Sequence, residues 1–349
     1  MTFNIVMLPG DGVGSEVAAA ARVVLEAADA RFALDLVFDE HRFGGAAIDL
    51  TGEPFPASTQ QACAGADAIF LGAVGGPKWD KGGPRPEAGL LAMRKSLGLF
   101  ANLRPVKVSP GMEDLSPLRK DRASGVDMVF VRELTGGLYF GDRTEGDERA
   151  KDECVYTREE VVRVARVAFD LARKRRGRVT SVDKANVLAT SRLWRKTVTA
   201  LHAAEFADVE LEHALVDAMS MKLISSPASF DVILTENLFG DILSDEASVI
   251  AGSIGLAPSA SLGGGRAAIY EPIHGSAPDI AGQDAANPVG AIRSAAMLLR
   301  HSAGAEDAAN SVEAAVEALL AAGGGTADIG GKESCSGFAR NVAKHLQGG

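Results

Sequence analysis

The chain has 349 residues, 46% of them hydrophobic, enough to bury the core of one large domain or of two ordinary ones. Its 36 lysines and arginines against 46 aspartates and glutamates leave a net charge of −10, and no extended basic block appears outside residues 172 to 178, so a nucleic-acid partner is not expected. Three widely spaced cysteines, Cys63, Cys154 and Cys335, define neither a disulfide framework nor a zinc spacing, and no signal peptide or membrane span is legible, so a reduced, cytoplasmic compartment is expected.

Residues 3 to 8 form a short β-rich apolar run that ends in Pro9-Gly10-Asp11-Gly12-Val13-Gly14, and residues 15 to 32 follow as an amphipathic helix. This turn is a weak match to a dinucleotide loop. Ser15 stands where the third glycine of G-x-G-x-x-G belongs, and Asp39 and Glu40 lie farther on than the expected acidic residue. A tight strand-to-helix turn that needs glycine is the better reading. Residues 66 to 76 read as a strand with a Gly-rich exit. In residues 85 to 96, Glu87, Leu90, Leu91 and Arg94 recur at three-to-four spacing and share one helix face. Further strands are expected at 126–134, 178–187 and 231–239.

The helix expected at 157 to 176 starts with a Thr157–Glu160 capping box and buries Val161, Val164, Ala165, Ala168, Leu171 and Ala172. Arg173, Lys174, Arg175 and Arg176 fall at the negative end of its dipole and Gly177 stops it, which accounts for the basic run structurally. Strands alternating with helices define an α/β protein with a partly parallel sheet. The Gly-rich residues 321 to 331 read as a loop.

One helix poses a question. It opens at Asn237, a candidate cap, and carries Asp241 and Asp245 four residues apart on one face, where like charges cost a few tenths of a kcal/mol. Either the pair is solvated or something positive faces it. Arg94, Arg104 and Arg132 are candidates for binding an anion. Arg132 ends an apolar strand, where a permanent charge needs either an ion pair, for example with Glu133, or an anionic ligand. Tyr139 follows two glycines, Lys184 closes a strand and Asp217 sits in an apolar stretch. Carboxylates of this kind suit Mg²⁺ or Mn²⁺ rather than zinc.

Taken together and in order, LPGDGVGSEV (8–17), FGGAAID (43–49), LGAVGGPKWD (71–80), ANLRP (101–105), VRELTGGLYFG (131–141), SVDKANVL (181–188), NLFGDILSDEAS (237–248) and EPIHGSAPDIAG (271–282) resemble the isocitrate/isopropylmalate family of β-decarboxylating dehydrogenases. The resemblance implies two α/β domains around a large mixed sheet, not a Rossmann fold. The cofactor-binding domain would comprise 1–99 plus 252–349, and the metal, substrate and dimerisation domain 100–251. It implies a homodimer with shared active sites, NAD as cofactor and a divalent metal held by Asp241, Asp245 and the other subunit's Asp217. Arg94, Arg104 and Arg132 would grip the two carboxylates of a malate, Lys184 from the other chain would act as base and Tyr139 as acid. The cofactor would lie along Gly75, Gly76, Pro77 and Glu87 and along Glu271, His274, Gly275, Ser276, Ala277, Asp279 and Asn287. Asp279 would meet the ribose hydroxyls, which favours NAD over NADP.

The same resemblance places recognition of the malate's substituent just before Arg94. There Glu87, Leu90 and Leu91, with Val187 from the other chain, would form an apolar wall suited to an isopropyl group and hostile to a third carboxylate. Three buried carbons contribute about 2 kcal/mol, or roughly 30-fold in specificity. Malate, tartrate and methylmalate are the alternative substrates, and a silent ligand-binding homologue is the alternative class.

Overall fold

The computed structural model describes residues 2–80 and 82–348. The chain forms two compact units, Met1–Leu99 with Gly252–Gly349, and Phe100–Ala251. In chain order, the first unit begins with β1 (Phe3–Gly10), α1 (Gly14–Phe32), β2 (Leu36–Glu40), α2 (Gly45–Thr51), α3 (Ala57–Gly65), β3 (Ala68–Ala73) and α4 (Pro86–Ser96). Next come β4 (Leu99–Lys107), α5 (Lys120–Ala123), β5 (Asp127–Glu133), β6 (Arg143–Thr144), β7 (Lys151–Asp152), α6 (Arg158–Arg173), β8 (Arg178–Asp183), α7 (Ala189–Glu205), β9 (Glu210–Leu215), α8 (Val216–Ser225), β10 (Val232–Thr235) and α9 (Asn237–Ile250). The chain then returns to the first unit with β11 (Pro258–Gly263), β12 (Ile269–Pro272), α10 (Val289–His301), α11 (Glu306–Ala321) and α12 (Cys335–Gly348).

Both units are α/β with mixed sheets. In the first, the strand order is β2-β1-β3-β12-β11; β1 runs parallel to β2 and β3, β12 parallel to β3, and β11 antiparallel to β12. In the second, the order is β4-β5-β10-β8-β9, antiparallel between β4 and β5 and parallel elsewhere. The antiparallel pairs and a first unit built from both ends of the chain depart from a doubly wound dinucleotide fold. Parallel strands covered on both faces must be apolar on both, which is why β3 and β10 are buried throughout. In the second unit, Phe130, Ile233, Met219, Leu223, Leu243 and Ala247 share one core, so α8 and α9 pack on the β5–β10 strands.

Helix α6 starts at the Thr157–Glu160 capping box, with both reciprocal hydrogen bonds formed. Its basic tail is structural: Arg173 pairs with Asp208, Arg175 with Asp127 and Asp231, and Arg178 with Glu210. Two strands are shorter than the apolar runs suggest. The 178–187 run ends at Asp183, whose carboxylate accepts from the Ala185 amide and turns the chain. The 231–239 run ends at Thr235, and a helix begins two residues later. Apolar residues belong equally to a strand end and to the buried first turn of a helix, so periodicity does not place that boundary.

Candidate active site

In the second unit the acidic pair of α9 faces arginines. The Arg104 guanidinium, from β4, donates to Asp245 Oδ1 at 2.9 Å and to Ser244 Oγ at 2.8 Å, and lies 3.2 Å from Asp241. Arg132, at the end of β5 and almost fully buried, pairs with Asp241 through Nη1. The short turn Gly137–Tyr139 brings in the phenol, which donates to Asp241 Oδ2 at 2.9 Å. Two cations thus offset the like-charge repulsion at four-residue spacing. Burial raises the Asp245 pKa, while Arg104 pulls it down. The Tyr139 phenol is pushed above its usual value by burial and by Asp241, so it keeps its proton at neutral pH.

The helix cap differs from the sequence expectation. Glu236, not Asn237, is the cap, accepting from the Phe239 amide at 2.6 Å. Asn237 is the first helical residue and has another task. Its Oδ1 accepts from Arg132 Nε at 3.1 Å and Nη2 at 2.8 Å, and its Nδ2 donates to the Gly136 carbonyl at 3.1 Å. It ties the guanidinium to the turn that carries Tyr139. Glu133, one residue from Arg132, points to the opposite strand face and accepts from the Thr135 and Gly136 amides and from Arg163. Gly240 also serves this geometry: a Cβ there would come within 2.2 Å of Thr235 Oγ1 and 2.7 Å of Arg132 Cγ.

Lys184 follows β8, and its Nζ contacts Asp217 Oδ1, on the first turn of α8, at 2.7 Å. That ammonium holds the Asp217 carboxyl below its usual range. Among the described residues no three His, Cys, Asp or Glu side chains gather into a metal-holding group. Within one chain, then, Asp217 does not join Asp241 and Asp245. Val187 lies beyond Lys184 and is 62% exposed.

In the first unit Arg94 is buried near the end of α4 and pairs with Glu271 of β12 at 2.9 Å. Its Nε is sealed from solvent and has no partner. Glu271, counted with the cofactor residues on resemblance, is here the counter-charge of Arg94. Glu87 is exposed on the first turn of α4 and lies against the β3 exit: a Cβ on Gly75 would sit 2.4 Å from Glu87 Oε1. Gly75 and Gly76 have φ of +105° and +152°, and the exposed Pro77 then starts a short turn. Leu90 and Leu91 are both half-buried, and Leu90 packs on the core of Phe55, Met93 and Leu99.

The glycine turn at 10–14 carries a residue that the sequence reading passes over. Asp11 accepts from the Gly45 and Gly75 amides, each at 2.9 Å, through Oδ2, and from the Ala46 amide at 2.8 Å through Oδ1. Burial raises its pKa against those hydrogen bonds. The Val13 amide donates to the Ser276 carbonyl at 2.8 Å, and a Cβ on Gly12 would lie 2.0 Å from that oxygen. The turn therefore fastens the 75–77 and 274–277 loops together. An aspartate inside a glycine-rich strand exit was the available signal.

In the second of those loops, His274 Nδ1 contacts the Gly275 carbonyl at 3.0 Å, while Nε2 is shut off from solvent without a partner. Burial lowers its pKa, which keeps the ring neutral. Gly275 and Asp279 are exposed, Ser276 is buried and Ala277 adopts a φ of +36°. The Asn287 amide is committed within the fold, to Asp328 and to the Val289 amide. The orphaned nitrogens of His274 and Arg94 and the glycine cradle fit a polar cofactor and an anionic substrate. The hard oxygens of Asp241 and Asp245 fit Mg²⁺ or Mn²⁺.

Residues 4–342 match the family model for isocitrate/isopropylmalate dehydrogenases. The chain belongs to this family of dehydrogenases. It is 57% identical over 337 residues to the 3-isopropylmalate dehydrogenase of Oleidesulfovibrio alaskensis, covering 94% of each protein. Over 346 residues it is 54% identical to that of Staphylococcus haemolyticus, covering 99% of this chain and all of the relative. The solved isocitrate dehydrogenase of Methylococcus capsulatus is similar at a TM-score of 0.87 and 35% identity, over 99% of this chain and all of that one. Among the described residues no helix is long and apolar enough to cross a membrane.

Proposed function

We propose that this chain catalyses the NAD-dependent oxidative decarboxylation of (2R,3S)-3-isopropylmalate to 2-oxo-4-methylpentanoate and CO₂, a step of leucine biosynthesis, as a cytoplasmic homodimer with shared active sites. The observation that carries the reading is the array on α9, where two carboxylates, two arginines and a phenol meet within hydrogen-bond distance. Relatives named 3-isopropylmalate dehydrogenase, at 51 to 57% identity, support the choice of substrate.

Asp241 and Asp245, with Asp217 of the partner subunit, would hold the metal. When bound, Mg²⁺ or Mn²⁺ would supply Lewis-acid stabilisation of developing negative charge, and NAD would supply the hydride acceptor. Arg104 and Arg132, with Arg94, orient the two malate carboxylates. Lys184 of the partner subunit removes the hydroxyl proton. Tyr139 returns a proton to carbon after CO₂ leaves, and its raised pKa keeps that proton available. Gly75, Gly76, Pro77 and the 274–279 loop would hold NAD, with Asp279 toward the ribose. Leu90, Leu91 and the partner's Val187 receive the isopropyl group, and Glu87 repels a third carboxylate.

The test is NADH formation with 3-isopropylmalate, D-malate and isocitrate, with and without Mg²⁺ after chelation. Isopropylmalate should exceed D-malate in kcat/KM by about 30-fold, and chelation should abolish turnover. A preference for isocitrate, or no turnover with any malate, refutes the proposal.

A further inference from the structure

We propose that Asp183, Arg195 and Arg192 are positioning residues that clamp the Lys184–Leu188 turn, and that they set the geometry of Lys184 and Val187 in the neighbouring subunit's site. The inference deepens the function proposed above and rests on it.

The segment between β8 and α7 is short and carries Lys184 and Val187, two of the three residues assigned to the other subunit. Its apolar side chains do little to fix it, since Val187 is 62% exposed and Leu188 39% exposed. The backbone is held instead. The Lys184 carbonyl accepts from the Val187 amide at 3.0 Å and the Leu188 amide at 2.9 Å. Asp183, at 1% exposure, accepts from the Ala185 amide at 2.8 Å through Oδ1. Arg195 grips that carboxylate with two parallel bonds, Nε to Oδ2 at 2.8 Å and Nη2 to Oδ1 at 2.9 Å. Arg192, three residues earlier and so on the same face of α7, spans the turn from outside, donating to the Ala185 carbonyl at 3.3 Å and the Val187 carbonyl at 3.1 Å.

A buried carboxylate is a poor source of stability against an apolar substitute and is costly when left unpaired. Its geometry is what distinguishes this one. The two-point Arg195 fork fixes the plane of the Asp183 carboxylate, the carboxylate fixes Ala185, and Arg192 fixes the two carbonyls that flank the exposed face. Releasing any of the three lets the Lys184 amine drift, and an ångström of misplacement at a reacting group costs about 100-fold in rate.

The test uses Arg195→Ala, Asp183→Asn and Arg192→Ala, the last being an exposed residue whose loss should leave the fold intact. In homodimers kcat should fall roughly 10- to 100-fold, with KM for NAD within about twofold. The discriminating measurement is complementation in mixed dimers, co-expressed with different tags. As a control, Lys184→Ala with Asp241→Ala should regain one working site per mixed dimer. Each clamp variant should likewise be rescued by Asp241→Ala and not by Lys184→Ala, because its defect travels with Lys184. If the control complements and the clamp variants do not follow Lys184, the clamp is refuted while the shared site stands. If the control itself fails, the shared site is refuted. The clamp is then judged on the kinetic split, where a fall in kcat matched by a rise in KM for NAD overturns it.

Discussion

Replacing Asn237 by alanine tests whether the neutral amide next to the acidic pair aims Arg132. The side chain is 1% exposed, so water cannot replace what is lost. Its Oδ1 receives two N–H groups from one charged guanidinium, at 3.1 and 2.8 Å. Hydrogen bonds to charged groups contribute about 1.5–3 kcal/mol each; two sharing one oxygen count for less than twice that, and the orphaned Gly136 carbonyl adds about 1 kcal/mol. The sum is about 3–5 kcal/mol of stability, read as a shift of the urea midpoint at constant slope. The activity readout is more specific. Arg132 would no longer be held in plane while Asp241 still pulls on Nη1, so both malate-type substrates should lose kcat/KM by the same factor, with KM for NAD unchanged. Asn237→Asp keeps the acceptor but makes it anionic, so it should weaken substrate binding further by neutralising the guanidinium. If Asn237→Ala changes only the melting behaviour, or shifts the ratio between isopropylmalate and D-malate, the reasoning is wrong.

Leu91→Ala should reduce the isopropylmalate advantage over D-malate by several-fold with little loss of stability, whereas Leu90→Ala, which also removes core contacts, should cost about 1–3 kcal/mol as well; paired kinetics and melts check both. For His274, burial depresses the folded pKa below its ordinary value of 6.5, so the unfolded chain binds the proton first. The stability this residue contributes is full above about pH 6.5 and is lost as pH falls toward the folded pKa. His274→Gln should therefore lose less stability than the wild type between about pH 7 and 5, measured by urea unfolding. Burial pushes the Cys63 and Cys335 thiols up to about 12, so a thiol reagent at about pH 8 should label them only on unfolding; rapid labelling of the native chain would contradict that burial.

Much of the local structure is legible in the sequence. The capping box at Thr157, the apolar face of α6 and the buried strands follow from short-range rules, in which propensity and a fixed period act between residues a few positions apart. The pairing of Asp241 with Asp245 was equally visible, because four-residue spacing on a helix is itself a distance. The order of eight motifs pointed to the family and, through it, to Arg94, Arg104, Arg132, Tyr139 and Lys184. Which partner each charge takes was not legible. Nothing in the sequence says that Arg132 turns to Asn237 and Asp241, more than 100 positions away, that Arg94 meets Glu271, or that Asp11 is the fastening of two loops. Those choices are made when strands pair and loops close. A buried charge takes whichever counter-group the completed sheet brings within about 3 Å, and sequence separation carries no information about that distance.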